Sequence, residues 1–187
     1  RLLIKEPFFA ALSRKIDKKA STVVPTAGVR VNENGHFEMV YNPEFFGKLT
    51  DEERTAVLKH EFYHLIFEHV TGRLPDGGMS KKWNFATDLA INSLIDEKEL
   101  PEGGLIPGKA FGPLTQEQID QMGQQAADRY AKVSALIASF PKEQTSEWYF
   151  QKLMEDDDVS QAIQSQDKMQ GKSLAEALAD GTVKIDE

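Results

Sequence analysis

Three of the four histidines in this 187-residue chain, His60, His64 and His69, fall within ten consecutive residues. The local sequence around them is built for a helix. Thr50 followed by Glu53 forms a capping-box pattern, and Asp51 and Glu52 add negative charge to the first turn, so a helix is predicted from Thr50 to about Val70, closed by Gly72. On such a helix His60 and His64 are one turn apart on one face, which lets both imidazoles reach a single ion at ~2.0–2.1 Å. Glu61 sits one step round the helix, out of place as a ligand but within reach of a water beside the ion, where a general base belongs. Phe62, Leu65, Ile66 and Val70 supply the opposite, apolar face that would fix the helix against a core.

A catalytic zinc takes three protein ligands and keeps one open position. There is no cysteine in the chain, so every ligand must come from His, Asp or Glu. A second helix is predicted from a Ser80 cap to about Glu97, and along it Asn84, Asp88 and Asn92 recur every four residues among Trp83, Phe85, Ala86, Leu89, Ala90, Leu94 and Ile95. A carboxylate in so apolar a helix needs a charge partner, and a metal ion satisfies that need. Asp88 is therefore the expected third ligand, with Asn84 and Asn92 hydrogen-bonding around it. Glu68 and His69 are rivals. On a straight helix Glu68 is carried ~6 Å past His64, which suits a solvated or ion-paired face, and His69 turns ~140° away, which suits a core, substrate-side or ligand-supporting role. Tyr63, His36 and Tyr41 are candidates for stabilising an oxyanion on the substrate side.

Elsewhere the chain reads as mainly helical α+β. Ile4, Phe8, Ala11, Leu12 and Ile16 have helical spacing and predict a helix over Ile4–Lys19. Two extended runs, Val29–Val31 and His36–Tyr41, flank Asn32-Glu33-Asn34-Gly35, a hairpin signal that places a small antiparallel sheet beside the histidine helix. A third helix is expected from Thr115 to Phe140, stopped by Pro141, and a fourth from a Thr145 cap to Met154. Beyond Glu155 the composition turns polar. Residues 1–154 are thus expected to form the domain and 155–187 a mobile tail or linker, with a possible short helix at Leu174–Ala179. A net charge of -8 opposes binding to nucleic acid, and no run approaches the ~20 apolar residues of a membrane span. The lack of cysteine suits a reducing cytoplasm.

These landmarks resemble a family of metallopeptidase domains of phages and bacteria, often found ahead of a von Willebrand factor A-like domain. The resemblance is carried by Pro25-Thr26-Ala27, Tyr41-Asn42-Pro43, Leu58-Lys59-His60-Glu61-Phe62-Tyr63-His64, the pattern from Trp83-Asn84 through Asp88 to Ile91-Asn92, Leu100-Pro101 and Glu147-Trp148-Tyr149-Phe150. It implies a zincin-like fold, zinc on His60, His64 and Asp88, a bacterial or phage-infected cytoplasm and a companion domain or partner protein.

The expected function is zinc-dependent hydrolysis of peptide bonds in a peptide or protein substrate, with Glu61 as general base. The alternative is a metal-stabilised module that binds peptide or protein without cleaving it. Two further expectations are a substrate rim over Val29–Tyr41 and a self-inhibiting strand at Thr182–Asp186.

Overall fold

A computed structural model of the protein describes residues 6–75, 78–101 and 103–165. Contacts divide these residues into two compact units, one of residues 6–75 and 78–80 with Lys98–Pro101, the other of Lys81–Glu97 with residues 103–165. The class is α+β, with a three-stranded sheet confined to the first unit.

The first unit runs α1 (Pro7–Ser13), β1 (Asp17–Ala20), β2 (Ala27–Val31), β3 (Phe37–Tyr41), α2 (Pro43–Lys48) and α3 (Asp51–Ile66). The expected hairpin forms, with Val29 opposite Met39 and Val31 opposite Phe37. Its turn is held by Asn32, whose side-chain oxygen accepts from the amides of Asn34 and His36 at 3.0 and 2.9 Å, while Gly35 takes φ +76°. The sheet is mixed rather than purely antiparallel, because β1 adds to the free edge of β3 in parallel, Asp17 to Glu38 through Ala20 to Tyr41.

That third strand corrects the helix expected over Ile4–Lys19. The helix stops at Ser13, where the Lys15 amide bonds back to the Leu12 carbonyl, and the next residues pair with β3 instead. Ile16 fits the helical period and is only 4% exposed, yet it reaches the core from a bend. Periodicity located the core residue and misjudged the backbone that carries it. One short helix, α2, was not anticipated, although Asn42 and Pro43 are a good start signal: the Asn42 side chain caps the amides of Glu44 and Phe45, and Pro43 occupies the first turn.

Phe9, Ile16, Ala27, Val29, Met39, Phe62 and Leu65 form the core of this unit. Helix α3 packs on β2 and on α1. Its capping box is present, the Glu53 amide donating to the Thr50 hydroxyl at 3.2 Å and the Thr50 amide to the Glu53 carboxylate at 2.7 Å.

The second unit is helical: α4 (Lys81–Asn92), α5 (Gln116–Met122), α6 (Gln124–Ala138), α7 (Ser146–Met154) and α8 (Asp157–Ser165). Helix α4 is its spine. It packs chiefly on α7 and also on α8, and every residue from Trp83 to Asn92 is buried except Asp88. The helix expected over Thr115–Phe140 is two helices, parted at Gly123, whose φ of +83° an α-helix cannot contain. Tyr149, fully buried, donates its hydroxyl proton to the Pro141 carbonyl at 2.7 Å.

Helix α8 corrects the polar tail assigned from residue 155. Its charged residues line one side, while Val159, Ala162 and Ile163, at 0%, 2% and 1% exposure, join the core of α4, α6 and α7. Three apolar side chains at helical spacing suffice to dock nine residues, even in a polar segment. The expected helix at Leu174–Ala179 and strand at Thr182–Asp186 lie outside the described residues. No helix among the described residues is long and apolar enough to cross a membrane.

Asp156 starts α8: its side chain accepts from the amides of Asp158 and Val159 at 3.0 and 3.1 Å, and Lys132 lies 3.2 Å away. The Val159 amide, with further help from Lys132 and the Asp158 amide, holds its carboxyl below the usual carboxylate range. A depressed value means the stabilisation is complete above the unfolded-state pKa and is lost as pH falls through the lower folded-state value. Asp156→Ala is expected to cost about 1 kcal/mol at neutral pH, with Asp156→Asn keeping most of the cap, as read by thermal unfolding. The gap between wild type and Asp156→Asn should close as the pH is lowered through the carboxylate range.

Candidate metal centre

Helix α3 sets the first two side chains. Phe62, fully buried, and Leu65, 8% exposed, anchor it in the core of the first unit. His60 and His64 are then on the same helical row, and their Nε2 atoms approach to 3.1 Å. Two ligands of one tetrahedral ion at ~2.0–2.1 Å would stand about 3.3 Å apart, so the pair is nearly at the spacing a shared ion requires. Asp88 on α4 completes a group with them: one ligand atom from each of His60, His64 and Asp88 lies within 4.8 Å of the others. Two imidazoles and a carboxylate suit a divalent first-row ion. Glu61, which follows the first imidazole in the chain, is 7% exposed.

The end of α3 departs from expectation. The helix stops at Ile66, not near Val70, and Gly72 is not what stops it. Instead the chain makes a tight reversal: the Glu68 amide bonds to the Leu65 carbonyl at 3.1 Å, the His69 amide bonds to the His64 carbonyl at 2.9 Å, and Glu68 takes φ +57°. This is the two-bond helix terminator that usually carries glycine at the left-handed position. Because the helix has ended, the ~140° separation expected for His69 does not apply. Its ring, 1% exposed, returns to His64, with the two Nδ1 atoms 3.4 Å apart and the ring planes at 73°. No residue in the sequence marks this reversal, since glutamate is a poor candidate for the left-handed region. Glu68 itself is exposed, and its carboxylate lies so close to Gly72 that a Cβ there would come within 2.6 Å of its Oε2.

The remaining candidates fall in several places. Asn84 is 3% exposed, and its side-chain Nδ2 has no acceptor among the described residues. Asn92 donates to the Leu105 carbonyl at 2.9 Å, tying the end of α4 to the loop that follows. Tyr63 packs its ring edge-on to Phe9 and flat on Phe67, with centroids 5.3 Å away in each case. His36 is exposed at the hairpin turn, and Tyr41 stands edge-on to Phe46 beside the core of the first unit.

The family described as "Putative metallopeptidase domain" matches residues 1–183. Among curated proteins, one from Thermotoga maritima, named "Uncharacterized protein", is 36% identical over 63 residues, a stretch that covers 34% of this chain and 16% of that protein. No solved structure matches the chain.

The reversal after α3 makes residue 68 a sensitive position. Glu68→Gly relieves the left-handed strain and is expected to match or exceed wild-type thermal stability, whereas Glu68→Val, β-branched at φ +57°, should lose about 1–2 kcal/mol. Equal unfolding temperatures for the two variants would contradict this geometry.

Proposed function

Given that the chain belongs to the metallopeptidase-domain family that spans residues 1–183, we propose that it is a zinc-dependent peptidase in which His60, His64 and Asp88 hold the ion and Glu61 is the general base. The observation that carries this reading is the convergence of one ligand atom from each of those three residues to within 4.8 Å. Support for a zincin-like organisation comes from the small sheet packed against the helix that bears both histidines.

When bound, the ion supplies Lewis acidity to a carbonyl and to an attacking water. His60 and His64 contribute neutral nitrogen donors and Asp88 a negative charge, leaving a net positive site suited to a developing oxyanion. Glu61 accepts the proton of the water as its oxygen bonds to the carbonyl carbon. The same carboxyl then returns that proton to the departing amine as the carbon–nitrogen bond breaks. The substrate class is an unfolded or extended peptide, whose backbone can meet the sheet along the edge of β2, since β1 occupies that of β3.

The test uses the full chain with zinc and a denatured protein substrate. Wild type is expected to hold one equivalent of zinc, and His64→Ala and Asp88→Ala to lose it. Glu61→Gln should retain the metal while hydrolysis falls by roughly 10²–10⁴-fold, the usual range for a lost general base. Hydrolysis undiminished in Glu61→Gln would remove the mechanism. Zinc bound tightly with no cleavage by any variant would favour a non-catalytic, metal-stapled binding module.

A further inference from the structure

His64 has two ring nitrogens, and the structure gives each a different neighbour. Nε2 faces His60 Nε2 at 3.1 Å, and Nδ1 faces His69 Nδ1 at 3.4 Å. An imidazole that binds a metal through one nitrogen must be neutral, and it carries its proton on the other, which it usually donates to a carboxylate or a backbone carbonyl. For His64 the group in that position is a second imidazole. We propose that His69 is a positioning residue for the metal centre: its Nδ1 accepts the Nδ1 proton of His64, which fixes the ring of His64 and leaves its Nε2 lone pair directed toward the ion. This deepens the zinc-peptidase reading and rests on it.

Three features support the assignment. His69 is 1% exposed, so little water competes for the His64 proton. Its placement is over-determined, because the backbone amide of His69 donates to the carbonyl of His64 itself, joining the two residues through main chain and side chain together. Phe67 adds a third constraint, its ring centroid 5.6 Å from that of His69. The chemistry is also consistent around the whole chain of rings. If His64 donates from Nδ1, its Nε2 is a lone pair, His69 presents a lone pair at Nδ1 and keeps its proton on Nε2, and in the metal-free protein the 3.1 Å contact is completed by a proton on His60 Nε2.

Two variants separate positioning from packing. His69→Phe keeps an aromatic ring and removes the acceptor, and His69→Asn replaces Nδ1 with an amide oxygen near the same place. Zinc affinity, measured by competition with a chromogenic chelator, is expected to weaken 10- to 100-fold in His69→Phe and to recover largely in His69→Asn, as for other groups that orient a metal-bound histidine. Nitrogen-15 NMR of the metal-free proteins, at a pH where both rings are neutral, should find the His64 proton on Nδ1 in wild type and His69→Asn, and shifted toward Nε2 in His69→Phe. Wild-type zinc affinity together with an unchanged His64 tautomer in His69→Phe would overturn the proposal while leaving the peptidase reading standing. A wild-type protein that binds no zinc would overturn both. Because the tautomer is read without metal, the two failures are distinguishable.

Discussion

Two imidazole nitrogens held 3.1 Å apart are the constraint around which the rest of the molecule is arranged. Side chains in solution would not pay the rotamer entropy to keep such an approach, so the scaffold must impose it. Helical spacing does the first part by stacking residues 60 and 64 on one row. Burial does the second: Phe62 and Leu65 tie another side of α3 to the sheet and leave His60 and His64 half-buried. The sharp reversal after Ile66 does the third, returning a buried ring to the back of His64.

Helix α4 solves a related problem by a different route. It is enclosed on nearly all sides, and Asp88 is the single position between Trp83 and Asn92 that retains partial exposure. A carboxylate at a fully buried position of that helix would carry a large desolvation cost. At the one relieved position the cost is smaller, while the surrounding apolar packing keeps the backbone that presents it rigid. Rigid presentation of ligands by packed helices is what a metal centre requires of its scaffold.

Much of this was legible in the sequence, and what was missed has identifiable causes. The capping box at Thr50, the Asn34-Gly35 turn, the Thr145 cap and the shared helical row of His60 and His64 all follow from local chemistry that acts over a few residues. The strand at Asp17–Ala20 has no such signal, for its four side chains are exposed and only the free edge of β3 recruits it. Helix α8 was hidden by its polar composition, since three buried residues decide its docking and bulk composition averages them away. His69 was misjudged because an ideal helix was extended through a glutamate in the left-handed region, a conformation that sequence preference argues against.

The N-terminal arm has a consequence for the ligand helix. Phe9 of α1 stacks on Phe62 with centroids 6.4 Å apart, and Glu6 pairs with Lys59 at 3.0 Å, so the arm covers α3 at positions immediately beside and between His60 and His64 in sequence. Its strand is an edge strand that buries no side chain, so the arm is held mainly by Phe9, Ala10 and Ile16, and its local opening costs the burial of those three. Such an opening would strip the cover from Phe62 and loosen the helix on which both imidazoles depend. By thermodynamic linkage, any ion that prefers the closed arrangement must then also hold the arm down, so occupancy of the centre and order in α1 and β1 rise and fall together.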